Sequence, residues 1–155
     1  MSNKEKLAQV YESAKPFVDN VLLAMARAQL ERERVDKIYN AILADGVYMD
    51  DQGNQILDNN RAYRINDKQA ADYYKLCDLA LREAGYDLPD VGYCPALMAE
   101  EEQREAERQL VDAVAPLLGI TRAVLMLNFD SYKRFIDLTI KTIVNHPDYK
   151  SPLAA

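Results

Sequence analysis

The sequence predicts a mainly α-helical protein, built as a bundle of four or five helices with one small inserted β-hairpin. Apolar residues recur at steps of three and four along most of the 155 residues, and that spacing places them on one face of a helix. The helical spacing of apolar residues stops between Gly46 and Asn66. A small hairpin over residues 46–58 is predicted there, because a long loop without secondary structure is uncommon inside a compact domain. The length suits one domain, so we predict a single helical domain over residues 1–155 whose tail, residues 147–155, is extended.

The N-terminal part of the chain predicts helices with a long apolar seam. Ser2 and Glu5 have the spacing of a capping box, which begins a helix. Pro16 then either begins a second helix or kinks a continuous one. From residue 17 to residue 44 a heptad-like seam follows, whose one charged member is Arg32. The seam consists of Val18, Val21, Met25, Ala28, Arg32, Val35, Tyr39 and Ile42.

The predicted hairpin turns over residues 50–53, because Gly53 can supply the left-handed conformation of a G1 bulge. This register pairs Tyr48 with Ile56 across the two strands. A two-stranded ribbon is marginally stable alone, so we expect it to lie against the helices.

Glycine and proline residues mark the ends of the two helices that follow. One begins at Asn66 or Asp67 and is closed by Gly85, which suits a C-terminal cap. The next begins at Pro95, a residue that fits the first turn of a helix. Near its end Pro116 removes one backbone hydrogen bond, so the last turn should kink or tighten.

Residues 121–145 form the most apolar segment, which we predict to be the central helix of the bundle. Thr121 suits the N-cap position. The apolar stripe is wide, and a helix with so wide a stripe must lie against several others. Phe129, Ile136 and Ile140 are therefore predicted to be core residues.

The charge balance narrows the classes of partner. The formal net charge is −6 and the isoelectric point is about 4.8, which argues against generic binding to nucleic acid or to anionic membranes. It permits a basic protein partner. The sequence contains no apolar run of transmembrane length and does not begin with a secretory signal, and its two cysteines are too few for a disulfide framework. These features predict a cytoplasmic protein.

The residue pattern predicts no catalytic residue, no cofactor and no metal site. Glycine-rich phosphate loops, zinc spacing and the di-iron pattern of helical bundles are absent from the sequence. His146, the sole histidine, is expected to complement a helix dipole. Cys77 falls on an apolar helical face and is predicted to be a core residue. Cys94 lies in a loop and is the better candidate for a reactive thiol.

Six residues are candidates for binding a ligand or partner. Arg32 either reaches solvent or pairs with an acid of a neighbouring helix, or it lines an interhelical cavity and binds a carboxylate or phosphate. Tyrosines and arginines cluster in the middle third, and both residue types are enriched at binding hot spots, although tyrosine also seals the rims of small cores. We expect an extended binding surface along residues 67–84. The candidates are Arg32, Tyr48, Arg61, Tyr63, Arg64 and Tyr93.

Three functions are compatible with this sequence. The leading hypothesis is a non-catalytic, acidic interaction or regulatory module that recognises another protein, with the long seam also predicting a homodimer. A second is a small-ligand receptor or enzyme with a pocket between helices. A third is an acidic mimic of nucleic acid that uses the five glutamates of residues 100–107. These predict, respectively, an exposed apolar or tyrosine patch, a closed polar cavity, and a continuous surface of carboxylates.

Overall fold

The computed structural model describes residues 2–44, 67–88 and 94–153. Helix dominates these residues, which confirms the mainly α-helical class. Strand is absent from these three ranges, and the predicted hairpin over residues 46–58 lies outside them. In the same three ranges, no helix combines the length and the apolar character needed to cross a membrane.

The chain forms its helices in the order in which the sequence predicts helical segments. A single 3-10 turn follows α4. The elements are α1 (Asn3–Gln9), α2 (Tyr11–Ala44), α3 (Asp67–Glu83), α4 (Pro95–Val114), the 3-10 turn (Ala115–Leu118), α5 (Arg122–Met126) and α6 (Phe129–Val144).

Local capping signals place several of these boundaries. The Ser2 hydroxyl accepts a bond from the Glu5 N–H at 3.2 Å, and the Glu5 carboxylate accepts one from the Ser2 N–H at 2.7 Å, so the capping box is confirmed. Pro16 lies inside α2 and does not begin it. The turn that separates α1 from α2 comes earlier, at Val10. Pro116 lies in the 3-10 turn, as its missing donor predicts, and Gly119 closes that turn with φ +75°.

The predicted central helix is interrupted, which corrects the prediction for residues 121–145. Thr121 does cap α5, since its hydroxyl accepts the Val124 N–H at 3.3 Å. Asn128 then adopts an extended conformation, and its side chain accepts the Asp130 N–H at 2.9 Å as the N-cap of α6. An asparagine side chain that bonds the backbone locally competes with the helix, so α5 ends and α6 begins there.

Only part of the predicted apolar stripe is buried. Ile136 is 3% exposed, so its core assignment is confirmed, and Ile140 is partly buried. The core assignment of Phe129 is wrong, because its side chain is 73% exposed. Phe129 lies on the same face of α6 as Ile136, seven residues later, but as the first residue of that helix it stands where the face is not covered.

The chain divides into two compact units, residues 1–28 with 99–155 and residues 29–98. The long helices α2 and α4 each contribute one part to the first unit and one part to the second. The prediction of a single domain over residues 1–155 stays a prediction.

The core of the first unit is formed by α2, α4, the 3-10 turn and α6. Burying a valine, leucine or isoleucine side chain stabilises by about 1.5–3 kcal/mol, so this cluster is the main source of the unit's stability. Its buried members are Tyr11, Ala14, Val18, Val21, Leu110, Val111, Val114, Ala115, Ile136 and Ile143.

The core of the second unit is smaller and has a polar edge. Val35, Leu81, Leu88 and Ala96 are buried together, with Tyr86 packed beside them. The Tyr86 hydroxyl donates to Glu31 at 2.6 Å and Arg82 donates to the Leu88 carbonyl at 3.0 Å, which satisfies polar groups at the edge of this core.

The predicted seam of α2 therefore serves two cores within one chain. Val18 and Val21 are buried in the first unit and Val35 in the second, whereas Met25 is 43% exposed. The homodimer stays a prediction, but these buried seam positions are already covered by the chain itself.

The segment after α6 is anchored to α2 by a tyrosine. The Tyr149 hydroxyl donates to Asp19 at 2.7 Å, and the Lys15 ammonium pairs with the same carboxylate at 2.9 Å. The imidazole of His146 stacks on the ring of Tyr11 with centroids 3.8 Å apart. Residues 147–153, predicted to be an extended tail, carry turns at 147–148 and 152–153.

Replacing Ile136 by alanine should lower the free energy of unfolding by about 2–5 kcal/mol, because the substitution leaves a cavity in the first core. Chemical denaturation followed by circular dichroism measures this. Leu138→Ala is the matched control, because Leu138 lies on the same helix and is 56% exposed. Equal effects of the two substitutions would contradict the orientation of α6.

A second pair of substitutions tests the anchor of the C-terminal segment. The Tyr11 hydroxyl is buried and has no hydrogen-bond partner within the described part of the chain, so Tyr11→Phe should leave stability unchanged or raise it. Tyr149→Phe removes the bond to Asp19 and should cost about 1 kcal/mol. Thermal unfolding of both variants measures the contrast. A larger loss for Tyr11→Phe than for Tyr149→Phe would contradict it.

Candidate partner-binding surface

The break between α5 and α6 leaves four large apolar side chains in solvent. Val124 and Met126 are each 60% exposed, Phe129 is 73% exposed and Leu127 is 86% exposed. We call these four residues the corner patch. Single exposed apolar residues are ordinary, but several grouped within six positions are typical of an interaction site.

The corner patch is held in place by contacts at both of its ends. Arg122 at the start of α5 pairs with Asp112 of α4 at 3.2 Å. Leu125 packs against the core of the first unit, and the cap at Asn128 begins α6. The apolar side chains are thus displayed from a helix corner that is closed by backbone hydrogen bonds from Leu127 to Val124 and from Asn128 to Leu125.

A groove of about 390 Å³ lies beside the corner patch, between α4 and the α5–α6 corner. Buried Ile136 and half-buried Tyr132 line it, and exposed Phe129 and Met126 belong to both the patch and the groove. We call this the corner groove. Its lining residues are Gln103, Arg104, Glu107, Arg108, Met126, Phe129, Tyr132, Lys133 and Ile136.

Three cations and one anion line the corner groove, and two further carboxylates pair with its arginines. Arg104 pairs with Glu101 at 3.1 Å and Arg108 pairs with Glu105, each through one guanidinium nitrogen. No acidic partner of Lys133 lies among the residues that the structure describes. One of the two carboxylate oxygens of Glu107 is occupied by a bond from Gln103 at 2.8 Å. The groove therefore offers guanidinium and ammonium donors around an apolar centre.

Tyr132 can act as a hydrogen-bond donor in this groove. Burial raises the pKa of its hydroxyl, and the neighbouring Glu107 carboxylate raises the pKa further. A raised pKa keeps the phenol protonated at neutral pH, so this group is suited to donating a bond and unsuited to acting as a base.

A second groove, of about 600 Å³, adjoins the corner groove along α6. Gln103, Glu107, Lys133 and Ile136 line both grooves. The second groove continues between α2 and α6 and is also lined by half-exposed Leu153 of the C-terminal segment. The apolar surface of the first unit thus extends beyond the corner.

Among the sequence-predicted binding residues, Arg32 is the one that lies in a described range. It is half-buried, and its guanidinium lies 3.9 Å from the carboxylate of Asp36, one turn further along α2. This supports the interpretation that Arg32 pairs with an acid, although the acid belongs to its own helix. Arg32 belongs to the second unit, whereas the corner groove belongs to the first. Tyr48, Arg61, Tyr63, Arg64 and Tyr93 lie outside the described residues.

The glutamates of α4 alternate with paired arginines. Glu101 and Glu105 are the partners of Arg104 and Arg108, and Glu102 pairs with Arg27 of α2 at 3.2 Å. Ion pairs of this kind neutralise the local charge, so these carboxylates do not form an uninterrupted anionic strip.

Sequence reasoning missed the corner patch because it assigned these apolar residues to one continuous helix. The signal that could have found the patch is Asn128, a good N-cap residue, followed by Asp130 in the favourable first turn of a helix. Interrupting the helix there leaves Leu127 in the turn and Phe129 at the start of α6, and both side chains are exposed.

A comparison with models of known protein families, with curated proteins and with solved structures finds no significant match to this chain.

The two cysteines occupy different environments in the second unit. Cys77 is 3% exposed, and burial raises the pKa of its thiol to about 11, although a bond with Tyr73 lowers it in part. Cys94 is half-buried at the start of α4. Since the thiolate is the nucleophile, Cys77 is shielded both by its position and by its protonation.

Thiol labelling should therefore distinguish the two cysteines. At pH 8, Ellman's reagent should modify native Cys94→Ser protein slowly, through Cys77, and native Cys77→Ser protein much faster, through Cys94. Both variants should react at similar rates in denaturant, which controls for intrinsic reactivity. Faster labelling of Cys77 than of Cys94 in the native state would contradict the assignment.

Proposed function

We propose that this chain is a non-catalytic interaction module that binds another protein through the corner patch. The observation that carries the proposal is the exposure of Val124, Met126, Leu127 and Phe129 on one ordered helix corner. Burying apolar surface yields roughly 25 cal/mol per Å², so covering these side chains is a substantial driving force for association.

The chemistry of the patch suits a protein interface. Phenylalanine and methionine are enriched at interfaces, and methionine adapts its shape to different partners. The neighbouring corner groove, with Ile136 and Tyr132 in its lining, offers a recess into which a partner side chain can insert. Hot spots commonly consist of an anchor in such a recess surrounded by surface that excludes water.

The alternative of a small-ligand receptor or enzyme has weaker support. A volume of about 390 Å³ falls in the range of ligand sites. However, a ligand pocket buries most of its ligand, whereas Phe129 and Arg104 at this groove are themselves largely exposed. The nucleic-acid mimic is likewise disfavoured by the arginines interspersed among the glutamates of α4.

Several finer features complete the proposal. The hairpin over residues 46–58, the bundle of four or five helices and the cytoplasmic location remain part of it. The proposal also includes a basic protein partner, which the acidic charge of the chain permits at other sites. It includes a homodimer as well, for which the corner patch is a new candidate interface.

Photo-crosslinking tests this function directly. A photo-reactive amino acid in place of Leu127 should yield a defined covalent adduct with another protein in the native cell, and Phe129→Glu should abolish that adduct. The physical reason is that a charge at position 129 cannot be buried without a large desolvation cost. The adduct is detected by its mass shift and identified by mass spectrometry.

A matched control uses Leu79, which is 51% exposed in the second unit. The photo-reactive group at Leu79 should not give the same adduct, and Leu79→Glu should leave the adduct from position 127 intact. Identical adducts from both positions, or none from position 127, would overturn the proposal.

A further inference from the structure

We infer that the segment after α6 is a strap that opens away from α2 and uncovers the apolar wall between α2 and α6. We call residues 146–153 the strap. Two opposing features of the closed strap carry the inference. A single tyrosine anchors it, and a buried hydroxyl without a partner in the described part of the chain disfavours it. The inference goes beyond the proposed function and does not depend on it, because the strap opens whether or not a partner binds the corner patch.

One side chain anchors the strap to α2. The Tyr149 hydroxyl donates to Asp19 at 2.7 Å, the Lys15 ammonium lies 5.8 Å from the centre of the Tyr149 ring, and this ring packs on the first core. The other hydrogen bonds that the strap forms with described residues are made within the strap or to the last turn of α6. A segment with so few bonds to the rest of its unit belongs to the parts of a protein that open at low free energy.

The strap buries little of its own surface when it is closed. His146, Tyr149 and Ser151 are half-buried, and the other residues of the strap are exposed. Leu153, the large apolar residue at its end, is still 51% exposed. Since hydrophobic stabilisation scales with the apolar area removed from water, closing gains little beyond the contacts of the Tyr149 ring and the His146 ring.

The closed strap carries a cost at Tyr11. His146 stacks on the Tyr11 ring with centroids 3.8 Å apart, and the Tyr11 hydroxyl is buried with no hydrogen-bond partner among the described residues. Burial is the largest cause of the raised pKa of this hydroxyl, and Asp148 of the strap is among the carboxylates that raise it further, so the strap lies close to it. A buried donor without a partner loses its bonds to water. Movement of the strap that returns water to the hydroxyl is favoured for that reason.

Opening of the strap removes one wall of the second groove. Tyr149, Ser151 and Leu153 line that groove from the strap, and Leu22 and Ile140 line it from α2 and α6. The apolar side chains of the two helices are therefore left uncovered when the strap moves away. The second groove shares lining residues with the corner groove, so the uncovered surface continues from the corner along α6. A protein that contacts this longer surface would select the open form.

Limited proteolysis of the full chain measures the opening. Trypsin cleaves after Lys150, and it needs the residues on both sides of that bond, Tyr149 and Ser151, to be released from the body of the protein. When cleavage is slow relative to opening and closing, its rate follows the population of the open form. Mass spectrometry detects the loss of residues 151–155.

Two substitutions that each remove one hydroxyl should change the cleavage rate in opposite directions. Tyr149→Phe breaks the bond to Asp19 and should accelerate cleavage after Lys150 roughly fivefold. Tyr11→Phe removes the buried donor that disfavours the closed strap, and should slow cleavage by about twofold or more. Tyr74→Phe is the matched control, because Tyr74 is 55% exposed in the second unit, and it should leave the rate unchanged.

Thiol labelling tests whether the apolar wall is uncovered when the strap opens. In protein whose two native cysteines are replaced by serine, Leu22→Cys should react with Ellman's reagent faster when Tyr149→Phe is added and slower when Tyr11→Phe is added. Leu138→Cys is the control, because Leu138 is 56% exposed and does not line the second groove. Neither tyrosine substitution should change its labelling rate.

Three outcomes would overturn the inference. The first is equal cleavage after Lys150 in the wild-type chain, Tyr149→Phe and Tyr11→Phe. The second is an equal acceleration of cleavage after Lys133 and Arg134 inside α6, which would indicate unfolding of the whole unit and no separate opening of the strap. The third is labelling at position 22 that does not follow the cleavage rate, which would show that the strap does not cover the wall. All three leave the photo-adduct from position 127, and with it the proposed function, untouched.

Discussion

The first unit depends on how far its covering elements reach along α6. The cap at Asn128, whose side chain accepts the Asp130 N–H, sets where that helix begins. Phe129 and Ile136 are seven residues apart and so share one face of α6, yet Ile136 and Ile143 are buried while Phe129 is exposed. Residues of α2, α4 and the 3-10 turn cover the later turns of that face and leave its first residue in solvent. The core of this unit and its candidate binding surface therefore meet on one face of the same helix.

Charge is distributed unevenly in this protein, and the distribution matters more for recognition than the total. The net charge of −6 gives the chain as a whole a long-range repulsion of anions. On α4, however, glutamates and arginines at i,i+3 pair with each other, which reduces their effect at a distance. At the corner groove Arg104, Arg108 and Lys133 lie with three carboxylates, which are those of Glu101, Glu105 and Glu107. The net acidity of the whole chain therefore does not describe the charge that a partner meets there.

The second unit contains buried phenol and thiol groups. Tyr73 and Cys77 are buried on α3, and Tyr39 of α2 meets Tyr73 with ring centroids 6.3 Å apart. Burial raises the pKa of both tyrosine hydroxyls, so these groups stay protonated at neutral pH. The clustering of tyrosines in the middle third, seen in the sequence, thus corresponds in part to packing of this small core. Tyr86, whose hydroxyl donates to Glu31 at the edge of the core, fits the expected role of tyrosine at a core's rim, whereas Tyr73 is buried more deeply than that role predicts.

The sequence by itself determined where most described helices begin and end. The capping box of Ser2 with Glu5, the start of α4 at Pro95 and the closing turn at Gly119 are local signals, formed among residues at most four apart. The tertiary structure alone decided which apolar faces are covered. Val18 and Val35 share one seam yet belong to two cores, and Leu127 and Leu110 are equally apolar yet differ completely in exposure. Periodicity gives a helix its apolar face, but burial depends on which other elements reach that face, and those contacts join residues far apart in the chain.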